Sequence, residues 1–128
     1  MAAHKRLICA SDDVVEGGDG VRFEVLRDGE RVPAFVIRYA GQVRGFVNRC
    51  AHVPVELDWL PGKFFDLTGH YVICAVHGAH YNARSGRCEL GPCKGASLAP
   101  VPLLECGGQL FLVDDEVAPG EIGVSRQE

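Results

Sequence analysis

Two short cysteine/histidine pairs constrain this chain more than any other feature. They lie in the stretch from Asn48 to Asn82, as Cys50-Ala51-His52 and then Cys74-Ala75-Val76-His77, with 21 residues between His52 and Cys74. Thiolate and neutral imidazole are the main protein ligands for zinc and iron. Each pair keeps its two donors within one tight turn, and two such turns facing each other bring two sulfurs and two nitrogens to one place. Two metal centres fit this set. One is a closed tetrahedral zinc shell. The other is a two-iron, two-sulfide cluster, with both cysteines on one iron and both histidines on the other. Structural zinc clips usually hold both spacings inside one short finger, so the long gap favours the cluster.

The flanking residues make the pattern more specific. Gly78 follows His77 at once, then Ala79-His80-Tyr81-Asn82; Arg84-Ser85-Gly86 reads as a turn, and Cys88-Glu89-Leu90 leads to a second turn at Gly91-Pro92. Cys-x-His, Cys-x2-His-Gly, a Ser-Gly turn and then Gly-Pro together resemble the pattern of Rieske ferredoxins and Rieske domains. The likeness is strongest over these motifs and extends more weakly from about Val43 to Val113. It implies one [2Fe-2S] cluster per chain, with Cys50 and Cys74 on the buried iron and His52 and His77 on the outer iron, their distal nitrogens near solvent. It also implies that Val53, Gly78, Ala79 and Tyr81 surround the cluster and that a loop bearing Gly91 and Pro92 covers it.

The same resemblance bears on the reduction potential, which in Rieske centres spans about −150 to +300 mV. High-potential respiratory members join the two ligand loops by a disulfide; the corresponding positions here are Val55 and Val76. Those members also carry a Ser two residues after the second ligand His, where this chain has Ala79, and a Tyr two residues further, kept here as Tyr81. Pro54 stands where the family often has Gly and removes a backbone N–H from the first loop. The expectation is a low-to-middle potential, raised modestly by Tyr81. His70 and His80 are out of ligand register and read as ordinary surface or edge residues.

The chain has 128 residues, one domain's worth, at 47% hydrophobic and 23% charged, an ordinary globular composition. A net charge of −4 without a basic patch argues against nucleic acid as a partner. Leu7–Ala10 is too short an apolar run for a signal peptide or a membrane span. The expectation is a cytoplasmic protein with no membrane partner. Of six cysteines, Cys9, Cys88, Cys93 and Cys106 lie outside the ligand pairs; they read as reduced, small packed thiols.

Most of the chain shows strand character. Val21–Leu26 alternates with the period of a half-buried strand, and Asp28-Gly29 signals a hairpin. Arg31–Tyr39 continues as a strand, with Pro33 suggesting an edge or a strand start. Gln42–Asn48 delivers the chain to Cys50. Val53–His70 is apolar, with Trp59, Leu60, Phe64, Phe65 and Leu67, and suits a hairpin or a turn of helix packed over the ligand loops. Short strands at His70–Val76 and Ala79–Ala83 flank the second pair. Val101–Leu104 and Gln109–Val113 form a closing hairpin turned at Gly107-Gly108, and Asp114–Glu128 is an acidic tail. The fold class is mainly β. The resemblance implies the Rieske fold in a single domain over 1–128: an antiparallel, sandwich-like base (1–47 and 85–128) with an inserted cluster-binding subdomain (48–84) and a covering loop near 91–93.

The function this implies is one-electron transfer rather than catalysis, from a flavin-containing reductase to an oxygenase or another redox enzyme. The alternatives are a Rieske subunit of a larger complex, like the small subunit of a nitrite reductase, and a structural zinc module. A self-contained oxygenase is disfavoured: it needs a second iron site of two His and a carboxylate, and the residues after Val113 contain no His.

Overall fold

The computed structural model describes residues 5–27, 29–51, 55–58, 60–75, 78–91 and 95–113. They form ten strands: β1 (Lys5–Ala10), β2 (Val21–Arg27), β3 (Glu30–Tyr39), β4 (Gln42–Val47), β5 (Tyr71–Ile73), β6 (His80–Asn82), β7 (Cys88–Leu90), β8 (Pro100–Val101), β9 (Leu103–Cys106) and β10 (Gln109–Val113). Three antiparallel sheets result, with strand orders β1-β10-β9, β2-β3-β4-β8 and β5-β6-β7. This is the mainly β architecture that the strand periodicity predicts.

The first two sheets make the base. Their facing apolar residues follow from period-two alternation. Val25, Ala34, Val101 and Leu112 are buried together, with Ile8 and Phe23 packed against them; Val14, Val36 and Leu110 form a neighbouring cluster. Arg38 ties the loop after β1 to β9. Its guanidinium donates to the Val14 carbonyl at 2.9 Å, to the Ser11 carbonyl at 3.1 Å and to Glu105 Oε2 at 2.8 Å. Glu105 is held below the usual carboxylate range, chiefly by the Arg38 hydrogen bond, against an opposing effect of burial.

Two proline positions differ from the sequence expectations, each for a backbone reason. Pro33 is neither at an edge nor at a strand start. It lies within β3, which pairs with β2 on one side and β4 on the other. In an extended strand the N–H and C=O of one residue point to the same side. The Pro33 carbonyl accepts the Asn48 N–H at 2.8 Å, so the proline nitrogen also faces Asn48 and has nothing to donate. The β3–β4 ladder ends at that point, and the chain leaves it toward Cys50. Val101–Leu104 is likewise not one strand. Val101 pairs with Gly45 in the base sheet of β4, whereas Leu103 pairs with Leu112 in the other. Pro102 sits between them, where the chain passes from one sheet to the other.

The third sheet carries the segment between the ligand pairs. The Ile73 N–H donates to the Phe64 carbonyl at 2.8 Å and the Asp66 N–H to the Tyr71 carbonyl at 2.9 Å, with Phe65 bridged to Val72. Phe64–Ile73 is therefore a hairpin turned at Asp66–Gly69, the hairpin alternative of the sequence reading. Phe64 is fully buried and stacks on Phe35 of β3, ring centroids 3.9 Å and planes 11° apart. That contact fastens the insert to the base. Phe65 packs against the same core, while Leu60 and Leu67 are exposed. Trp59 and the 114–128 tail lie outside the described residues. β7 pairs with β6, so this sheet runs past residue 84 to Leu90.

Candidate metal centre

Each of the two candidate cysteines sits just beyond a strand end. Cys50 follows the end of β4, and its N–H donates to the Val55 carbonyl at 2.8 Å, closing the first loop on itself. Cys74 follows β5; its N–H donates to the Ala79 carbonyl and its carbonyl accepts the Gly78 N–H, both at 2.9 Å. Gly78 takes a φ of +72°, a left-handed conformation that lets the second loop turn back into β6. Cys50 and Cys74 are both buried, at 3% and 0% exposure.

A buried polar network joins the roots of the two loops. Asn48 continues the inward phase of β4, which places an amide in the core two residues before Cys50. Its Nδ2 donates to Asp58 Oδ1 at 2.9 Å, and its Oδ1 accepts the Leu57 N–H at 2.8 Å. The Leu57 carbonyl in turn accepts the N–H of Ala75, the residue after Cys74, at 3.1 Å. Asp58, with no exposed side-chain surface, also accepts the Gly62 N–H at 2.9 Å and meets Arg22 Nε at 3.4 Å. A buried carboxylate is tolerated only when paired and hydrogen-bonded in this way.

Tyr81, fully buried on β6, reaches the first loop. Its hydroxyl accepts the Ala51 N–H at 2.8 Å and lies 3.2 Å from Cys50 Sγ. Gly91, directly after β7, lies close against Ala79: a Cβ on it (φ +105°) would lie 2.9 Å from the Ala79 Cα. Only glycine permits that backbone-to-backbone approach. Ala79 itself is fully buried. Cys88 is buried on β7, its thiol donating to the Leu90 carbonyl at 3.4 Å.

Four of the residues singled out in the sequence, His52, Val53, His77 and Pro92, lie outside the described residues, as do Pro54, Val76 and Cys93. Among the described residues no three His, Cys, Asp or Glu side chains gather as a metal site. The described half fits a [2Fe-2S] cluster: two buried thiols belong to one core cluster, one of them beside the Tyr81 hydroxyl, with Gly91 close against Ala79.

Sequence reasoning missed two groups. Asn48–Asp58 carried one signal, a polar residue on the inward phase of a strand. His80, read as an ordinary surface or edge residue, is partly buried; its Nδ1 lies 2.7 Å from the Gly78 carbonyl and its Nε2 3.6 Å from Asp66 Oδ2.

The fold is similar to that of the ferredoxin of carbazole 1,9a-dioxygenase from Nocardioides aromaticivorans IC177, with a TM-score of 0.66 and 20% identity over 84% of this chain and 95% of that one. It is similar also to a chain in the complex of reduced oxygenase and oxidized ferredoxin in carbazole 1,9a-dioxygenase, with a TM-score of 0.65 and 21% identity over 89% of this chain and 96% of that chain. A longer chain in the reduced complex between oxygenase and ferredoxin in carbazole 1,9a-dioxygenase gives a TM-score of 0.71 at 22% identity; this chain covers 30% of it. At these identities the likeness speaks for the fold. No curated protein matches the chain. The family model of the Rieske [2Fe-2S] domain matches residues 4–106. The chain therefore belongs to the Rieske [2Fe-2S] domain family, and its cofactor is one [2Fe-2S] cluster.

Proposed function

We propose that this protein is a one-electron carrier, a Rieske ferredoxin that takes an electron from a flavin-containing reductase and passes it to an oxygenase. The observation that carries the reading is the coincidence of family membership with a fold matching 95% of a dioxygenase ferredoxin chain. In this reading Cys50 and Cys74 hold the inner iron, and His52 and His77 hold the outer one. When bound, the cluster supplies a site that gains and loses a single electron. The chain keeps the sulfur ligands dry, holds their loops at fixed separation through Asn48, Leu57 and Asp58, and aims the Tyr81 proton at Cys50. The cluster-binding part runs over 48–84, with the loop near 91–93 as its cover.

A carrier needs no substrate pocket, and we assign this chain no catalytic residue. No helix among the described residues is long and apolar enough to cross a membrane. We place the carrier in the cytoplasm, in keeping with unbridged thiols at Cys9 and Cys106.

Visible absorption and low-temperature EPR before and after dithionite test the ligand assignment. A red-brown protein that bleaches and gives an average g below the free-electron value is expected. Stoichiometric zinc without iron would overturn the assignment. Electron delivery from a flavin reductase to an oxygenase, with no fixed-stoichiometry partner on purification, is the result expected of a carrier. A partner retained at one-to-one stoichiometry would favour a subunit of a larger reductase.

A further inference from the structure

The Phe64–Ile73 hairpin presents Asp66 to the second ligand loop. The Asp66 carboxylate is fixed at the hairpin turn: its Oδ1 accepts Thr68 Oγ1 at 2.7 Å, the Thr68 N–H at 3.2 Å and the Gly69 N–H at 3.1 Å. Burial raises its pKa, but the bonds from Thr68, Tyr71 and Gly69 and the nearby His80 outweigh that and leave it below the usual carboxylate range. Its Oδ2 faces His80 Nε2 at 3.6 Å, and the Tyr71 ring meets the imidazole edge-on at 5.6 Å. The other ring nitrogen, Nδ1, lies 2.7 Å from the Gly78 carbonyl. A carbonyl only accepts, so Nδ1 carries a proton there. At 3.6 Å the carboxylate makes no hydrogen bond to Nε2; the ring is held by its contact with Gly78 and by the Tyr71 edge.

The bond to Gly78 has a consequence across the peptide plane. There is no cis peptide bond among the described residues, so the Gly78 carbonyl and the Ala79 N–H point in opposite directions. With the carbonyl held by His80, the N–H of buried Ala79 is turned to the other side. Among the described residues no hydrogen bond from that N–H is formed to another protein group. A buried backbone N–H is rarely left without an acceptor. It lies one residue from Gly78, whose own N–H closes the second ligand loop on Cys74.

We propose that His80, through its contact with the Gly78 carbonyl, is a positioning residue that sets the Gly78–Ala79 peptide so that the Ala79 N–H donates to a sulfur of the cluster. The proposal rests on the cluster assignment above. Hydrogen bonds to cluster sulfurs favour the reduced form and raise the potential, so the His80–Gly78 contact supports a potential that a chain with Ala79 in place of Ser would otherwise lack.

The test is a redox titration of the holoprotein for His80→Asn, His80→Phe and Asp66→Asn, each with its melting temperature and EPR spectrum. In His80→Asn the introduced amide takes the place of Nδ1 and keeps the bond to Gly78, so this variant is expected to hold the native potential. His80→Phe keeps the packing on Tyr71 but loses the bond, and its potential is expected to fall. Asp66→Asn, which leaves the His80–Gly78 contact in place and removes a negative charge, is expected not to lower the potential. A His80→Phe protein with native EPR and unchanged potential would overturn the proposal. Equal potential losses in His80→Asn and His80→Phe would also overturn it, because rescue by the donor is its signature. If His80→Phe fails to load a cluster, His80→Leu is titrated in its place, an unchanged potential again counting against the proposal. A native protein without the Rieske EPR signal would instead refute the cluster reading beneath it.

Discussion

Replacing Tyr81 by Phe removes one hydroxyl from the site and leaves the ring in place. The hydroxyl makes two contacts: it accepts from Ala51 and lies 3.2 Å from Cys50 Sγ, to which it donates when Cys50 is the proposed thiolate ligand. The second matters for the electron. A hydrogen bond to a charged group contributes about 1.5–3 kcal/mol, and the bond is stronger when the cluster carries the extra negative charge. If about 1 kcal/mol of that is the difference between redox states, the one-electron scale of 59 mV per tenfold converts it to a fall of about 40 mV. The first contact bears on stability. An Ala51 N–H left without its acceptor costs about 1–3 kcal/mol if water does not replace it. Tyr81→Phe is therefore expected to load its cluster, melt several degrees lower and titrate at a lower potential. Protein-film voltammetry beside the native protein measures the shift. A potential unchanged within about 10 mV, with intact EPR, would refute the argument that this hydroxyl bonds the ligand sulfur, since the conversion above predicts several times that.

Phe64→Ala empties a fully buried site stacked on Phe35 and is expected to cost about 3–5 kcal/mol, read by urea denaturation of the holoprotein. Gly91→Ala places a methyl 2.9 Å from the Ala79 Cα at a φ of +105°; faster cluster loss on incubation, followed by visible absorbance, is the expected result. For Glu105, the lowered carboxylate pKa means that the Arg38 contact stabilises the fold fully above the ordinary carboxylate range. That contribution is lost as pH falls through the lower, folded-state value, so Glu105→Gln should show a flatter acid limb in a plot of melting temperature against pH.

What is legible in the sequence is local. Val21–Leu26 and Gln109–Val113 declare themselves by alternation, and the Gly107-Gly108 turn by composition, because a strand's period and a tight turn need no distant partner. The Rieske pattern is legible for the same reason, since its spacings are short. Pro33 misleads because a missing N–H has meaning only relative to the neighbour it would have bonded, and Asn48 is 15 residues away. Pro102 hides a change of sheet because Val101 and Leu103 look alike until Gly45 and Leu112 are known as their partners. The polar network is hardest to see. Asn48 and Asp58 have no motif between them, and His80 meets Asp66 only after the Phe64–Ile73 hairpin has folded.

The pairing of β1 with β10 sets an order on how the chain can fold. Lys5 is matched with Val113 and Ala10 with Gln109, so this ladder joins residues about as far apart in sequence as the described chain allows. Such contacts form slowly, because a long loop must close before any pairing rewards it. The β2-β3-β4 meander and the β5-β6-β7 sheet are short-range and can form while the chain is still emerging from the ribosome. Cys50 and Cys74 follow β4 and β5, so the sheets that carry them can form before β10 pairs with β1. The closing ladder is therefore expected to be a late step, after the strands that lead to both cysteines are in place.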